Sequence, residues 1–452
     1  MTTIHATRAL LPAGWAHDVT VEIDGGQIAA ITPGTAPDGA RVDTLLPALS
    51  NLHSHSFQRA MAGMTERRAA GRDSFWTWRD LMYRFALSIT PEQYQAIAAL
   101  TFLEMQEAGY AAVGEFHYVH HQPGGAPYAA PAELSERVFI AAAQTGIGLT
   151  HLPVLYSYGG AGEAPLKAGQ ARFGNDVDSF ALLLEEARSA ARALPEDTRV
   201  GIAPHSLRAT SPQDLARVLP LADGAPVHIH IAEQPKEVSD IEAWLGARPV
   251  QWLLDNAPVD GRWCAIHATH MNASETAALA QSGAVAGLCP ITEANLGDGP
   301  FNGPGYLAAG GAFGIGSDSN VRIALGEELR MLEYSQRLRD LQRNVWTPGA
   351  GSVGIALYTG AAAGGAQALG RDAGRIAPGA LADLVAINSQ VPSLCALSDD
   401  QLLDGLCFAA GDGVVTDLWS AGRHCVTGGQ HIQRGAIVAE YRRAIAALLD
   451  AV

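Results

Sequence analysis

Between about residues 45 and 320, short apolar runs alternate with longer stretches whose apolar residues recur at helical spacing. Apolar runs of about four to eight residues are typical of buried strands, and the stretches between them predict amphipathic helices. The predicted strands lie within TLLPALSNLHSH, AAVGEFHYVH, IGLTHLPVLYS, RVGIAPHSLRA, PVHIHIAE, RWCAIHATH, AVAGLCP and AFGIGSDS, and the predicted helices span 91–108, 132–145, 179–193, 212–219, 238–255 and 273–281. This alternation indicates parallel βαβ units, and eight such strands predict an α/β fold built on a (β/α)8 TIM-type barrel.

The two chain ends show a different pattern. Both are made of short alternating runs, and Asp24-Gly25-Gly26 marks a tight hairpin turn. We expect these β-rich ends to pair beside the barrel. The predicted domains are a small composite β-sandwich from 1–45 and 375–435, a catalytic barrel at 46–374 and a C-terminal helix within 436–452.

Composition narrows the class of protein. The chain has 452 residues, of which 48% are hydrophobic and 17% charged, so it can bury a large core. Its net charge of -16 argues against nucleic acid or an anionic membrane as the main partner. The five cysteines are scattered without a CxxC motif, and the first residues lack a signal-peptide pattern, so a cytoplasmic protein is expected. The uncharged stretch 349–370 is glycine-rich and predicts a loop and a small-residue helix, not a membrane span.

Histidines and acids close several of the predicted strands, which is where a barrel carries its chemistry. His53 and His55 are two residues apart, so both imidazoles share one face of a strand. His230 and Asp318 close two later strands. Three imidazoles and one carboxylate suit a single divalent ion, with zinc expected and iron(II) as the alternative. The candidate metal ligands are therefore His53, His55, His230 and Asp318.

Two neighbouring histidine pairs leave a choice. In PVHIHIAE either His228 or His230 can face the site, and His230 is preferred because it lies nearer the carboxyl end of the strand. His267 ends its apolar strand, and His270, three residues later, is the alternative. Glu233 follows His230 by three residues, so Glu233 and His267 remain as candidates for proton transfer.

The order of these residues along the chain, His53 and His55, then His230, His267 and Asp318, resembles the pattern of the amidohydrolase superfamily. The resemblance covers nearly the whole chain, including GRIAPGALADLV near its end. Binuclear members carry a lysine on the fourth strand. Here that strand ends in Ala203-Pro204-His205, and neither Lys167 nor Lys236 lies there. The resemblance therefore implies a mononuclear site of the deaminase type, in which His267 is not a metal ligand.

Longer motifs narrow the resemblance. SNLHSHSFQRAMAGMTE, GEFHYVHH, APHSLRA, HIHIAEQ and CPITEANLGDG are similar to motifs of the superfamily's deiminases that act on N-formimino-L-glutamate. The resemblance implies hydrolysis of that substrate to N-formyl-L-glutamate and ammonia, in histidine degradation, by a hydroxide on one metal ion. Asp318 or Glu233 would take the water proton, Glu233 would protonate the leaving nitrogen, and His267 would stabilise the tetrahedral centre. A homodimer is also implied.

The implied substrate carries two carboxylates and an amidinium. Arg79 and Arg208 can each bind a carboxylate bidentately. Gln58, Tyr118 and His205 can add neutral hydrogen bonds, and the resemblance implies all five residues in substrate binding. Arg79 is expected in a long loop, which leaves open whether it serves its own or a neighbouring subunit.

Two alternatives stay open. One is another deaminase of the same superfamily, acting on a heterocyclic base or a guanidino compound. Flat neutral bases call for stacking and amide groups, so the two arginines argue against it. The other is a catalytically inactive barrel used as a scaffold. Such a protein should have lost ligands, whereas all four ligands and Glu233 are present.

Overall fold

We describe a computed structural model that covers residues 1–67, 75–347, 349–411 and 413–451, with only the backbone of residues 75 and 76. The strands are β1 Thr2–Leu11, β2 Gly14–Asp24, β3 Gln27–Thr32, β4 Ala40–Pro47, β5 Leu49–Ser54, β6 Tyr110–His117, β7 Gly148–Leu155, β8 Arg199–Val200, β9 Ala203–Pro204, β10 Val227–Ile231, β11 Trp263–His267, β12 Val285–Leu288, β13 Ala312–Ile315, β14 Leu384–Ile387, β15 Val415–Ser420, β16 Arg423–Thr427 and β17 Gln430–His431.

The helices lie mostly between these strands. They are α1 Phe75–Ser88, α2 Pro91–Ala108, α3 Glu133–Thr145, α4 Val177–Ala191, α5 Pro212–Val218, α6 Pro235–Leu245, α7 Pro249–Asn256, α8 Ala273–Gln281, α9 Pro290–Leu296, α10 Gly303–Ala308, α11 Leu325–Asp340, α12 Val353–Ala368, α13 Asp400–Phe408 and α14 Arg434–Leu449. Short 3-10 helices span Ser56–Met61, Ala168–Gln170 and Leu219–Ala222.

Two parallel sheets form the centre of the molecule. One has the strand order β5-β6-β7-β8, with β9 also pairing β7, and the other runs β10-β11-β12-β13. Isolated parallel bridges join the two sheets on both sides: Ser54 pairs with Asp318, and Ile202 with Val227. The predicted α/β class with parallel strands and intervening helices is confirmed.

The chain ends meet in one eight-stranded sheet with the order β17-β16-β15-β14-β4-β1-β2-β3. Strand β14 joins the two ends because it pairs antiparallel with β4, Leu384 opposite Pro47. The hairpin of β2 and β3 turns at Gly25 and Gly26, whose φ angles of 55° and 82° are the left-handed values that a tight two-residue turn requires. The predicted pairing of the ends is present as a sheet, and the β-sandwich stays a prediction.

The predicted helices 91–108 and 273–281 coincide with α2 and α8. In each case a polar side chain caps the first turn, Thr90 before α2 and Asn272 before α8. The prediction of one helix over 238–255 is wrong, because α6 ends at Leu245, is capped by Gly246 with a φ of 75°, and α7 begins at Pro249. A left-handed glycine and a proline at the first position separate two helices.

The expectation that Arg79 lies in a long loop is also wrong, because Arg79 lies on α1. The buried residues Met82, Phe85, Ala86 and Ile89 follow the helical spacing i, i+3, i+4 and i+7 along this segment. The fully buried Arg172 donates to the carbonyls of Ala86 and Ile89 at 2.6 and 2.8 Å. It therefore satisfies carbonyl groups that the end of α1 would leave unpaired.

Helix α12 approaches strand β13 closely enough to require glycine. A Cβ at Gly364 would lie 1.9 Å from the carbonyl oxygen of Phe313. We expect Gly364→Ala to lower the free energy of unfolding by about 1–3 kcal/mol, measured by urea denaturation. The matched control is Gly435→Ala in α14, where a Cβ meets nothing within 4 Å and should be neutral or stabilising by up to about 1 kcal/mol. Equal effects of the two substitutions would contradict the close approach.

Among the described residues, α12 included, no helix combines the length and the apolar character needed to cross a bilayer.

Candidate metal centre and active site

The four predicted metal ligands come together at the carboxyl ends of the central strands, each with one donor atom within 4.8 Å of the others. The Nε2 atoms of His53 and His55 lie 3.3 and 3.2 Å from Oδ1 of Asp318. Nε2 of His53 lies 3.1 Å from Nε2 of His230. Two donors bound at 2.0–2.1 Å to one tetrahedral ion are about 3.3 Å apart, so these distances fit a shared divalent ion.

The opposite ring nitrogens hold the imidazoles in this orientation. Nδ1 of His55 donates to the carbonyl of Phe116 at 2.9 Å, and Nδ1 of His230 donates to that of His205 at 3.2 Å. Their Nε2 lone pairs therefore point to the centre, as metal-binding histidines require. Burial lowers the pKa of His53 to about 3 and, with the nearby His53, holds that of His230 well below its usual value. Neutral imidazoles are the form that binds a metal.

Asp318 keeps its charge in this buried place. Burial alone would raise the pKa of its carboxyl, but the imidazoles of His53 and His55 hold it well below the usual range. Its backbone has a φ of 46°, a left-handed value that is uncommon outside glycine, asparagine and aspartate. The side chain of Asn320 donates to the carbonyls of both His55 and Asp318 at 3.1 Å and fixes this conformation. Such held, strained conformations are characteristic of functional sites.

Glu233 lies in the loop between β10 and α6, where it is 5% exposed. The backbone N–H groups of Ala232 and Glu233 both donate to the buried carboxylate of Glu237 at 3.1 Å. Nη2 of Arg208 donates to Oε2 of Glu233 at 3.2 Å. The other oxygen of Glu233, Oε1, is left 3.8 Å from Nε2 of His267. The loop is therefore held so that one carboxylate oxygen faces the centre.

His267 ends β11 with its ring aimed at the same place. Nδ1 donates to Oε1 of Glu293 at 3.2 Å, and Nε2 lies 3.8 Å from Oδ2 of Asp318. Burial would lower the pKa of His267, but the carboxylates of Glu233, Glu293 and Asp318 raise it to about 10. Nε2 is therefore placed to donate a proton toward the centre.

Glu293 acts on this imidazole through Nδ1, so we treat it as a positioning residue. We expect Glu293→Gln to lower kcat by at least about tenfold, because the amide lacks the charge that holds the protonated ring in place. The metal content and KM should stay near those of the parent, which separates this effect from loss of the ligand cluster. A variant that loses metal together with activity would instead show a structural role.

The predicted substrate-binding residues line one cavity with the metal cluster. The cavity wall includes Gln58, Arg79, Tyr118, His205, Arg208, His55, His230, Glu233, His267, Asp318, Trp78, Met82, Tyr83, Tyr156, Phe173 and Leu296. Gln58 donates to the Tyr118 hydroxyl at 2.8 Å, while its buried Oε1 has no hydrogen-bond partner among the described residues. The guanidinium of Arg79 lies 5.3 Å from the ring centroid of Tyr83. Burial and the charge of Arg208 hold the pKa of His205 well below its usual value, so this ring is neutral.

Sequence reasoning did not identify the residues that support the site. Glu237 stands four residues after Glu233, and Glu293 and Asp298 belong to the motif TEANLGDG, in which neither acid has a predicted role. Gln234 contacts the carboxylate of Asp298. Burial and the nearby Glu233 raise the pKa of Asp298 to about 9, so this acid carries a proton. The signal in the sequence for these supporting residues was the presence of acidic side chains close to the polar motifs.

Three imidazoles and a carboxylate that converge at the ends of parallel strands are typical of metal-dependent hydrolases. Comparison with known proteins agrees. The sequence profile of the Amidohydrolase family matches residues 44–425, and that of the formimidoylglutamate deiminase HutF N-terminal domain matches residues 1–41.

A formimidoylglutamate deiminase from Pseudomonas aeruginosa is 50% identical over 455 residues, covering 100% of both chains. The crystal structure of an amidohydrolase from Brucella melitensis superposes with a TM-score of 0.96 at 49% identity, over 99% of this chain and 100% of that one. A 5-methylthioadenosine/S-adenosylhomocysteine deaminase from Natronomonas pharaonis is 28% identical over 92% of this chain and 88% of its own. The chain therefore belongs to the amidohydrolase family and, within it, to the formimidoylglutamate deiminases.

Proposed function

We propose that this protein hydrolyses N-formimino-L-glutamate to N-formyl-L-glutamate and ammonia, in histidine degradation. The observation that carries the proposal is that two guanidinium groups, Arg79 and Arg208, line the cavity of the ligand cluster. A dicarboxylate with a small amidinium matches two cations beside an acidic centre. The full-length likeness to the deiminase of Pseudomonas aeruginosa supports the same substrate.

The ion would be held by His53, His55, His230 and Asp318. Zinc is the metal we propose, because it favours four ligands of this kind, and iron(II) is the alternative. When bound, a divalent ion supplies Lewis-acid activation of water at neutral pH.

The remaining steps are assigned to side chains of the chain itself. Glu233, or Asp318, accepts the water proton, and the oxygen attacks the formimino carbon. Glu233 then delivers a proton to the departing nitrogen, so that the C–N bond breaks with release of ammonia. His267 donates from Nε2 to the oxygen of the tetrahedral centre as charge develops there. Oε1 of Glu233 lies 3.8 Å from Nε2 of His267, which supports the assignment of these two side chains to the same reacting centre.

Substrate binding is assigned to the cavity wall. Arg79 and Arg208 would each bind a carboxylate, and Arg79 would do so within its own chain, since it lines that chain's cavity. The unpartnered buried Oε1 of Gln58 is an acceptor for an N–H group of the substrate. Tyr118 and His205 supply further neutral hydrogen bonds.

The same proposal includes the finer architecture. The bridges Ser54–Asp318 and Ile202–Val227 support closure of the two parallel sheets into one (β/α)8 barrel. The proposed domain limits go with this architecture: 1–45 and 375–435 for the composite sandwich, 46–374 for the barrel and 436–452 for the C-terminal helix. The composite sandwich, the homodimer and the cytoplasmic location stay predictions.

The test is ammonia release by the metal-loaded protein with three substrates: N-formimino-L-glutamate, 5-methylthioadenosine and guanine. We expect turnover of N-formimino-L-glutamate to exceed that of either heterocycle by several orders of magnitude, because neutral rings offer no carboxylate to the two arginines that line the cavity. Preference for a heterocycle would support the deaminase alternative. Absence of turnover with every substrate, in protein shown to hold its metal, would support the scaffold alternative.

A further inference from the structure

Beside the proposed catalytic ion, a second group of donors converges. His267, Cys289 and Asp318 each place one ligand atom within 4.8 Å of the others. All three are buried, and Cys289 is completely inaccessible. They follow or end the neighbouring strands β11, β12 and β13, which pair in parallel, so their convergence is set by the sheet.

Asp318 presents its two oxygens to two different sides. Oδ1 lies 3.3 and 3.2 Å from Nε2 of His53 and His55, while Oδ2 lies 3.8 Å from Nε2 of His267. A distance of 3.8 Å is too long for a hydrogen bond but suits two ligands of one larger ion. A carboxylate in this position can bridge two ions, which in two-metal hydrolases lie about 3.5–4 Å apart.

The donor set favours a particular class of ion. A thiolate with an imidazole selects soft or borderline cations such as Cd²⁺ or excess Zn²⁺, whereas Mg²⁺ and Mn²⁺ favour oxygen donors. Glu293 accepts from Nδ1 of His267 at 3.2 Å and so aims Nε2 at this place, as carboxylates do for metal-binding histidines. His267 and Asp318 line the substrate cavity, which gives an ion its route inward.

We propose that His267, Cys289 and Asp318 form a second, inhibitory site for a thiolate-seeking divalent cation. On binding, the Cys289 thiol and Nε2 of His267 each release a proton to solvent, and a sulfur–metal and a nitrogen–metal bond form while the first ion stays in place. Nε2 of His267 is then occupied by the cation and can no longer donate to the reacting oxygen. The inhibitory part rests on the proposed function, and the binding part does not.

The experiment uses the metal-loaded protein with Cys395→Ser, which removes the exposed cysteine. Cd²⁺ is titrated while three quantities are followed: the thiolate-to-cadmium charge-transfer absorption, the metal content by elemental analysis, and turnover. We expect a saturable band, one added cadmium per chain with the first metal retained, and loss of turnover. Adding Cys289→Ser should weaken cadmium binding by at least about tenfold and leave turnover without cadmium as in the parent.

The matched control is Cys264→Ser, a neighbouring buried cysteine outside the donor group, which should leave cadmium binding unchanged. The proposal is overturned if the parent shows no saturable band, if cadmium replaces the first metal one for one, or if Cys289→Ser binds as the parent does. If Cys289→Ser fails to fold, the proposal is tested by cadmium binding to Cys289→Ala and by the titration of the parent. A saturable band in a protein without deiminase activity would refute the proposed function and leave this site standing.

Discussion

Replacing Glu233 with glutamine should lower kcat for N-formimino-L-glutamate by about 10²–10⁴-fold, the usual range for losing a general acid–base group. The amide has the same shape and still accepts from Arg208, whose Nη2 lies 3.2 Å from Oε2. It cannot, however, take a proton from water or deliver one to the leaving nitrogen. Glu233 is outside the four-ligand cluster, so the metal content should remain that of the parent.

The measurement pairs steady-state ammonia release with elemental analysis of the same preparation. Glu242→Gln is the matched control, because Glu242 is an exposed acid on the adjoining helix α6 and does not line the cavity. It should leave both kcat and metal content unchanged. Near-normal turnover of Glu233→Gln would assign the proton steps to another group, with Asp318 as the first alternative.

The strand ends that carry the chemistry could be predicted from the sequence because the pattern is local. A strand is a short apolar run, and the parallel arrangement brings every carboxyl end to one face. The sequence therefore predicts that His53, His230 and Asp318 lie close together. Helix α1 also has a local pattern, because its buried residues recur at helical spacing. The prediction of a loop around Arg79 did not take this spacing into account. Gly246 and Pro249 likewise mark a break that the prediction of one long helix passed over.

The supporting contacts could not be predicted, because they join residues far apart in the chain through geometry alone. Arg208 was expected to bind substrate, yet in the structure it also pairs with Glu233 and lies 3.6 Å from Glu237. Burial would lower its pKa, but these two carboxylates raise it. Nothing in the sequence shows whether an arginine is available for a substrate carboxylate or already pairs with two carboxylates of the protein. Any substrate carboxylate must therefore compete with, or join, an existing buried ion pair.

Replacing Asp318 with asparagine should weaken metal binding by more than about a hundredfold, since loss of a direct ligand exceeds the 10–100-fold effect of losing a residue that merely supports one. Asparagine keeps the shape of the side chain but removes the one negative charge among the four ligands. Turnover should fall in proportion to the metal lost. The measurement is metal content after dialysis against a chelator, followed by ammonia release with and without added zinc.

The backbone of Asp318 makes the choice of control important. Its φ of 46° is left-handed, and so is the φ of 49° at the exposed Asp223. Because asparagine adopts this conformation as readily as aspartate, both substitutions leave the backbone preference unchanged. Asp223→Asn should therefore keep metal and activity, and any loss specific to Asp318→Asn reports on the ligand charge. If Asp318→Asn held its metal through dialysis and still released ammonia at the parent's rate, the four-ligand centre would have to be abandoned, and with it the roles assigned to Glu233 and His267 around it.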